Sequence, residues 1–277
     1  TATYNDKNVA AANRIDYTGV ALAGADAGNY SLAATTAQGT GTIAKRTLTV
    51  DTVAAQTKTY DGTTAADASQ FHATLNNVVA GEENLVAATA AGAAYNDKNV
   101  AGANRIDYTG VALTGTGAGN YSLAATTAQG AGSITPKQLN LALTSGARFD
   151  KTYDGNNRVD QSLTKGTNYT LTGFIGTEGD HLALAAATGT YTAGKDAGTD
   201  KEVTFKNLTL AGTGAGNYTL DKTALTGTGT IARRALTLGA VAAQSKTYDG
   251  NTLADASKFH AGLNNAIAGD NVTAAAT

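Results

Sequence analysis

K-T-Y-D-G stands at residues 58–62, returns at 151–155 and returns again at 246–250. Asp-Gly is a tight-turn signal, because a type I′ turn asks for positive φ at both central positions, so a hairpin turn is expected there. Working outward, a G-x-x-A-G-N-Y string recurs at 24–30, 115–121 and 212–218. The nineteen residues 4–22 return at 95–113 with a single change, Ala11 to Gly102. A-D-A-S-Q-F-H-A-T-L-N-N at 66–77 returns with two changes at 254–265. Equivalent strings lie roughly 91 to 97 residues apart, the mark of a tandem array of small domains.

The strings keep one order: K-T-Y-D-G, the Phe-His segment, the Y-N-D segment, G-N-Y, then a closing G-x-G-[TS]-I at 39–43, 130–134 and 227–231. A basic, strand-like start follows each closing string, at Lys45-Arg46, Pro136-Lys137 and Arg233-Arg234. Placing boundaries there divides the chain into a partial unit at 1–44, whole units at 45–135 and 136–232, and a partial unit at 233–277. Neither Gly/Ser nor Pro-rich spacers stand at the joints, and such joints favour a stiff, extended array.

Most segments read as strands. Residues 46–50, 203–205 and 208–210 alternate with period two, and Gly119-Asn120 and Gly216-Asn217 are turn formers ahead of Tyr-Ser-Leu and Tyr-Thr-Leu strands. One segment per unit reads as a short helix: Phe71, Leu75 and Val78 or Val79 fall three to four apart, Phe259, Leu263 and Ile267 repeat the pattern, and Asp67 or Ser69 is placed to cap it. The middle unit offers Val159 and Leu163 without a Phe. The fold class expected is mainly β: small β-rich domains in an extended rod, each β-grasp-like with one short helix, or an immunoglobulin-like sandwich if that segment is not helical.

Composition bounds the function. The chain of 277 residues carries 33 Gly, one Pro and no Cys, Met or Trp, with a formal net charge of −2. That balance gives no basic face for nucleic acid, and no apolar run is long enough to insert in a membrane as a helix. Without cysteine there are no disulfides or thiolate metal sites. Thr stands first with no leader, so the chain reads as a mature or excised fragment whose targeting information has been lost.

Repeats that open on K-T-Y-D-G and close through G-A-G-N-Y and I-T-P or I-A-K resemble the YDG-type repeats of bacterial surface proteins, including filamentous-haemagglutinin-like adhesins exported by two-partner secretion. The resemblance spans essentially the whole chain. It implies β-grasp-like modules in a Gram-negative exoprotein that is extracellular, held at the outer membrane or secreted. There the repeats form a stalk that projects a distal binding domain and supports attachment or biofilm formation. It brings no catalytic residues.

The residues themselves agree with a non-enzymatic reading, with no catalytic, cofactor-binding or metal-ligating residue assigned and no cofactor expected. His72, His181 and His260 are dispersed one to a unit, whereas metal sites need converging ligands. Tyr60-Asp61-Gly62 reads as a turn with Tyr over the core. Calcium has as candidates Glu82-Glu83, Asp270 with Asn271, and Asp26, without a D-x-D-x-D-G string. Gly115-Thr116-Gly117 lacks phosphate-loop context. A Lys–Asn isopeptide staple has the residue types in Lys58 with Asn120 and Lys151 with Asn217, and needs a buried acid beside them. The partners expected are neighbouring repeats, with host or matrix receptors met through other domains. The alternative is that the repeats bind glycan through Tyr17, Tyr108, Tyr169 or Tyr191, or self-associate through exposed edges.

Overall fold

The computed structural model describes residues 1–276. It is mainly β, and it divides into two compact units, residues 1–136 and 137–277.

In the first unit, residues 1–44 carry β1 (Ala2–Tyr4), β2 (Arg14–Thr18) and β3 (Thr36–Thr40), an antiparallel sheet in that order. Residues 45–135 carry nine strands: β4 (Arg46–Val53), β5 (Gln56–Thr59), β6 (Ala73–Asn76), β7 (Ala87–Thr89), β8 (Gly92–Tyr95), β9 (Arg105–Thr109), β10 (Ala112–Thr114), β11 (Tyr121–Leu123) and β12 (Thr127–Thr135). They form sheets β11-β4-β6 and β5-β12-β9-β8 and the pair β10-β7.

The second unit repeats this plan. Its strands are β13 (Lys137–Leu143), β14 (Lys151–Thr152), β15 (Tyr169–Thr172), β16 (Leu182–Leu184), β17 (Gly189–Tyr191), β18 (Gly198–Phe205), β19 (Leu210–Gly212), β20 (Tyr218–Leu220) and β21 (Leu225–Ala232). They form β20-β13-β15, β14-β21-β18-β17 and β16-β19, so each strand of one whole repeat has its counterpart in the other. Residues 233–276 add β22 (Thr237–Val241) and β23 (Ala261–Asn264), an antiparallel pair that corresponds to β4 and β6.

Two pairings close each whole repeat, and both are parallel. Tyr121–Leu123 runs beside Arg46–Leu48, and Gly132–Thr135 runs beside Gln56–Thr59. The second whole repeat has the same ladders, β20 on β13 and β21 on β14. A strand late in the sequence therefore seals one that came some 75 residues earlier, as the Thr57–Ser133 hydroxyl contact across 76 residues illustrates.

The expected helix is absent. Asp67 does cap a turn, its carboxylate accepting from the Ser69 N–H at 2.9 Å, but that turn is the single 3₁₀ turn Ala68–Gln70. Phe71 is already extended, and β6 follows, antiparallel to β4, with Ala73 and Leu75 half-buried and Thr74 and Asn76 exposed. A spacing of four from Phe71 to Leu75 satisfies period two as well as 3.6, and the β-branched Thr74 favours the strand. Asn77 at φ +73 then ends it. The copy at 255–264 does the same, with the turn Ala256–Lys258 and β23.

The Asp-Gly hairpin is likewise corrected. Gly62 takes φ +78 but Asp61 does not take a positive φ, so the turn is not type I′. The flanking segments do not pair with each other: β5 lies along β12, and Ala65 bridges to Ala94 at the far edge of the same sheet. K-T-Y-D-G is a corner that carries the chain across the sheet. The G-N-Y expectation does match: the turns Ala118–Asn120 and Ala215–Asn217 lead directly into β11 and β20. Residues 203–205 end β18, whereas of 208–210 only Leu210 is in a strand, β19.

The cores are thin and rich in tyrosine. Tyr60, Tyr108, Tyr169 and Tyr191 are among the largest fully buried side chains. Tyr108 stacks obliquely on Phe71 with ring centroids 4.7 Å apart. The middle repeat lacks that Phe, and its place is taken from another position: Phe149 meets Phe205 at 4.8 Å. Phe205 is the counterpart of Tyr108, and Phe149 is the counterpart of Gln56, whose Nε2 donates to the Tyr108 hydroxyl at 2.7 Å. Where the hydroxyl is lost, its donor is replaced by a second ring.

Candidate functional site

A polar cluster recurs at each of the three K-T-Y-D-G corners. The Lys58 ammonium donates to Asp61 Oδ1 at 2.8 Å and to the carbonyls of Thr63 and Ala65, both at 2.9 Å, and lies 5.3 Å from the Tyr95 ring centre. Lys151 repeats this with Asp154 at 2.7 Å, Asn156 Oδ1 at 3.0 Å and the Tyr191 ring at 5.8 Å. Lys246 repeats it with Asp249 at 2.9 Å and the carbonyls of Asn251 and Leu253. Burial deepens from Lys246, whose side chain is 42% exposed, to Lys151 at 2%.

The carboxylate completes the corner by accepting from the backbone N–H two residues on: Thr63 at 2.9 Å, Asn156 at 3.1 Å and Asn251 at 3.2 Å. Burial pulls the Asp61 and Asp154 carboxyls upward, but the lysine and the N–H and side-chain donors outweigh it and hold both below the usual carboxylate range. For Asp249 the lysine bond comes first in the same downward direction. Each ammonium spends its donors on an anion and loop carbonyls, an arrangement that pins a loop and presents no lone pair for chemistry.

A second recurrent feature links successive repeats inside each unit. In the first, Lys7, from the loop after β1, reaches Glu82 at 3.6 Å. Asn120 donates to Asn8 Oδ1 and accepts from the Val9 N–H, both at 2.9 Å. In the second, Lys195, from the loop after β17, reaches Asp270 at 3.7 Å, and the Tyr153 hydroxyl donates to the same carboxylate at 2.8 Å. Strands β1 and β17 are counterparts, and Glu82 and Asp270 occupy equivalent positions. Asp270 pushes the Tyr153 phenol upward, and Tyr153 with Asp270 holds Lys195 upward too.

The YDG domain model matches residues 1–37, 44–128 and 135–226. The chain belongs to the YDG domain family. No curated protein and no solved structure matches it.

In the YDG repeat, the Tyr-Asp-Gly residues are thus a corner whose Tyr60 is buried, Asp61 a cap and Gly62 the positive-φ position. The isopeptide pairs are not brought together: the bonds of Lys58 run to residues 61–65, while Asn120 holds Asn8 and Val9 across the joint. Lys151 bonds instead to Asp154 and Asn156, and Asn217 is buried in the turn before β20. Of the histidines, His72 is exposed with Nδ1 on the Gln70 carbonyl at 2.9 Å, His181 ends the 3₁₀ turn Glu178–His181, and His260 is exposed.

Among the described residues no three His, Cys, Asp or Glu side chains gather as a metal site would require. The carboxylates considered for calcium have other work. Glu82 takes the Tyr121 hydroxyl at 2.6 Å, Glu83 takes the Gly81 N–H, and Asp270 takes Tyr153, while Asp26 precedes a 3₁₀ turn without capping it. Of the tyrosines considered for glycan contact, Tyr108, Tyr169 and Tyr191 are at most 1% exposed and belong to the core, while Tyr17 is 39% exposed.

Sequence reasoning missed both the Lys-Asp staple and the Tyr-acid contact. Tyr121 accepts the Val79 N–H at 3.2 Å while donating to Glu82, and Tyr218 accepts the Ile175 N–H at 3.1 Å while donating to Glu178 at 2.5 Å. Burial, with the Glu178 bond behind it, pushes the Tyr218 phenol up to about 12. The available signal was the acid that recurs at equivalent positions of all three units: Glu82, Glu178, Asp270.

Proposed function

We propose that these repeats are a load-bearing spacer of a secreted bacterial surface adhesin of the filamentous-haemagglutinin-like kind. They stand outside a Gram-negative cell and project a binding domain, without catalytic activity of their own. The single observation that carries this reading is the parallel closure of each whole repeat. The chain enters through β4 or β13 and leaves through β12 or β21, and the exit strand is sealed in parallel register against β5 or β14. Tension applied at the two ends of a repeat then loads that ladder in shear, so its hydrogen bonds must break together instead of peeling one by one. The joint supports the same reading, since only Pro136 stands between β12 and β13, leaving no slack linker.

Small-angle scattering of the chain at low concentration tests the extended array. A compact globule of this length has a radius of gyration of about 19 Å, whereas three repeats end to end, on the order of 100 Å long, require about 30 Å. A value near the globular one sinks the spacer reading. Stretching single molecules supplies the mechanical test. Each repeat should release roughly 30 nm of contour in one step, and release in many small steps at barely measurable force would count against shear.

A further inference from the structure

The turn that ends on the recurrent acid appears three times. Val79, Ile175 and Ile267 stand three residues before Glu82, Glu178 and Asp270. Each time the N–H of the acid donates to the carbonyl of the aliphatic residue, at 2.9, 3.1 and 3.1 Å, with a positive-φ glycine between them, Gly81, Gly176 or Gly269. In both whole repeats this turn holds the strand that closes the repeat. Tyr121, the first residue of β11, donates to Glu82 Oε2 at 2.6 Å and accepts the Val79 N–H, and Tyr218, the first residue of β20, does the same at Glu178 and Ile175.

The same turn also meets the repeat before it. In the first unit Lys7 lies 3.6 Å from Glu82 Oε1, the oxygen that Tyr121 does not take. Asn120, one residue ahead of Tyr121, exchanges hydrogen bonds with Asn8 and the Val9 N–H, both at 2.9 Å. In the second unit Lys195 and the Tyr153 hydroxyl converge on Asp270, at 3.7 and 2.8 Å. Gly155, at φ +83, lies so close to Ile267 that a Cβ there would stand 2.9 Å from its Cγ2. Two members of this Tyr-Asp-Gly corner, the tyrosine and the glycine, therefore touch the turn of the following repeat, while Asp154 stays within its own loop as the cap.

We propose that the acid turn is a shared seat: within each unit the preceding repeat docks on it, and by docking stabilises the parallel closure of the repeat that carries it. In the first unit closure sets Tyr121 on one oxygen of Glu82 and brings Asn120 to the joint. Docking brings Lys7 to the other oxygen and Asn8 and Val9 to the Asn120 amide. The occupant of the seat is a folded neighbour of the same chain, recognised by an ammonium for the carboxylate and by a side-chain amide for Asn120. Linkage makes the benefit mutual, closure favouring docking by the same factor as docking favours closure. Neighbouring repeats of a unit are then energetically coupled rather than merely tethered. The coupling goes beyond the spacer reading and does not depend on it.

Hydrogen exchange of the whole chain tests the coupling. The Ala124 amide, just after β11, donates to the Leu48 carbonyl at 2.9 Å and reports closure; the Asn96 amide, just after β8, donates to the Arg105 carbonyl at 3.0 Å and is the control. Asn8→Ala, 112 residues from Asn120, should quicken exchange at Ala124 about 5-fold, the net worth of one hydrogen bond, and leave Asn96 slower to respond. Lys7→Met should add about 2-fold or less, because that side chain is 79% exposed. Asn120→Ala completes a cycle that separates the joint from any distortion of the Asn8 loop. Combined with Asn8→Ala, it should give an effect within about 2-fold of the larger single one, since both remove the same contact. The coupling is overturned if Ala124 exchanges unchanged in Asn8→Ala, if Asn96 quickens as much as Ala124, or if the two single effects multiply in the pair.

Discussion

Replacing Gln56 by Leu and Tyr108 by Phe, singly and together, tests whether the core of a YDG repeat is built from interchangeable matched pairs. Both side chains are buried, Gln56 at 7% and Tyr108 at 1% exposure, and Gln56 Nε2 sits 2.7 Å from the phenol oxygen and 3.1 Å from the Asp67 carbonyl. Tyr108→Phe strands one amide N–H in the core and should cost about 1–2 kcal/mol. Gln56→Leu strands the phenol and the Asp67 carbonyl, for about 2–3 kcal/mol. The double variant removes donor and acceptor together, so its cost should fall short of the sum by about 1 kcal/mol or more. The middle repeat supports this, because it carries Phe149 and Phe205 at the two positions with rings in contact. Whole-chain melting would mix several repeats that need not unfold together. Urea titration read by hydrogen exchange at amides of β9 and β12 isolates the repeat concerned. Costs that add within about 0.5 kcal/mol would refute the matched-pair argument.

Four further outcomes follow from the corner, the glycines and the acid-bound tyrosine Tyr218. Asp61 and Asp154 are held below the usual carboxylate range, so their contribution is fully present above that range and is lost as pH falls through the lowered values. Exchange protection of the Thr63 and Asn156 amides should drop between about pH 4 and about pH 2, and protection unchanged over that interval would contradict the staple. Lys151→Met should destabilise more than Lys246→Met, since the first side chain is 2% exposed and the second 42%. Gly229→Ala sets a Cβ 1.9 Å from the Phe149 carbonyl oxygen, where only backbone movement makes room, and should lower thermal stability by about 3 kcal/mol or more, while Gly119→Ala, with nothing within 4 Å, should stay within about 0.5 kcal/mol. Tyr218 should ionise near the value of about 12 in an ultraviolet phenolate titration. Its contribution to stability should be intact below its ordinary value of 10.0 and decline from there toward about 12. A Tyr218→Phe variant that keeps the late titration step would reassign it.

The recurring strings made the array and most of its strands legible: the turns Ala118–Asn120 and Ala215–Asn217 and the strands after them fall where the letters place them, whereas Tyr30–Leu32, identical in sequence to β11, forms no strand. The helix was misread at Phe71–Leu75 because a four-residue interval fits a strand and a helix alike, and β6 is held by β4 across a span that no local pattern reports. Phe149 escaped notice for a related reason. It occupies the position of Gln56, one no motif marks, and becomes a core residue only once β14 and β18 lie in one sheet. The parallel pairs were invisible because period two tells faces, not direction. At the corner, Lys58 and Asp61 were both in view, but three residues of turn backbone decide whether an ammonium meets its neighbour's carboxylate or a distant Asn120. The links at Lys7–Glu82 and Lys195–Asp270 join successive repeats and carry no local signature at all.

Thin cores and parallel closure have a common consequence. Strands from the two ends of a whole repeat bury tyrosines together: Tyr121 lies in β11 against β4, and the Tyr60 N–H donates to the Thr135 carbonyl at the end of β12. The phenol solves the small-core problem in two parts, covering apolar surface with its ring and satisfying its hydroxyl on an acid or a backbone group at the rim. For Tyr121 both parts are realised where first-half and second-half strands meet, in contacts between segments distant in sequence. Such closure is slow to form because loop entropy is lost before contacts compensate it, and it fails as a whole when one strand is withheld.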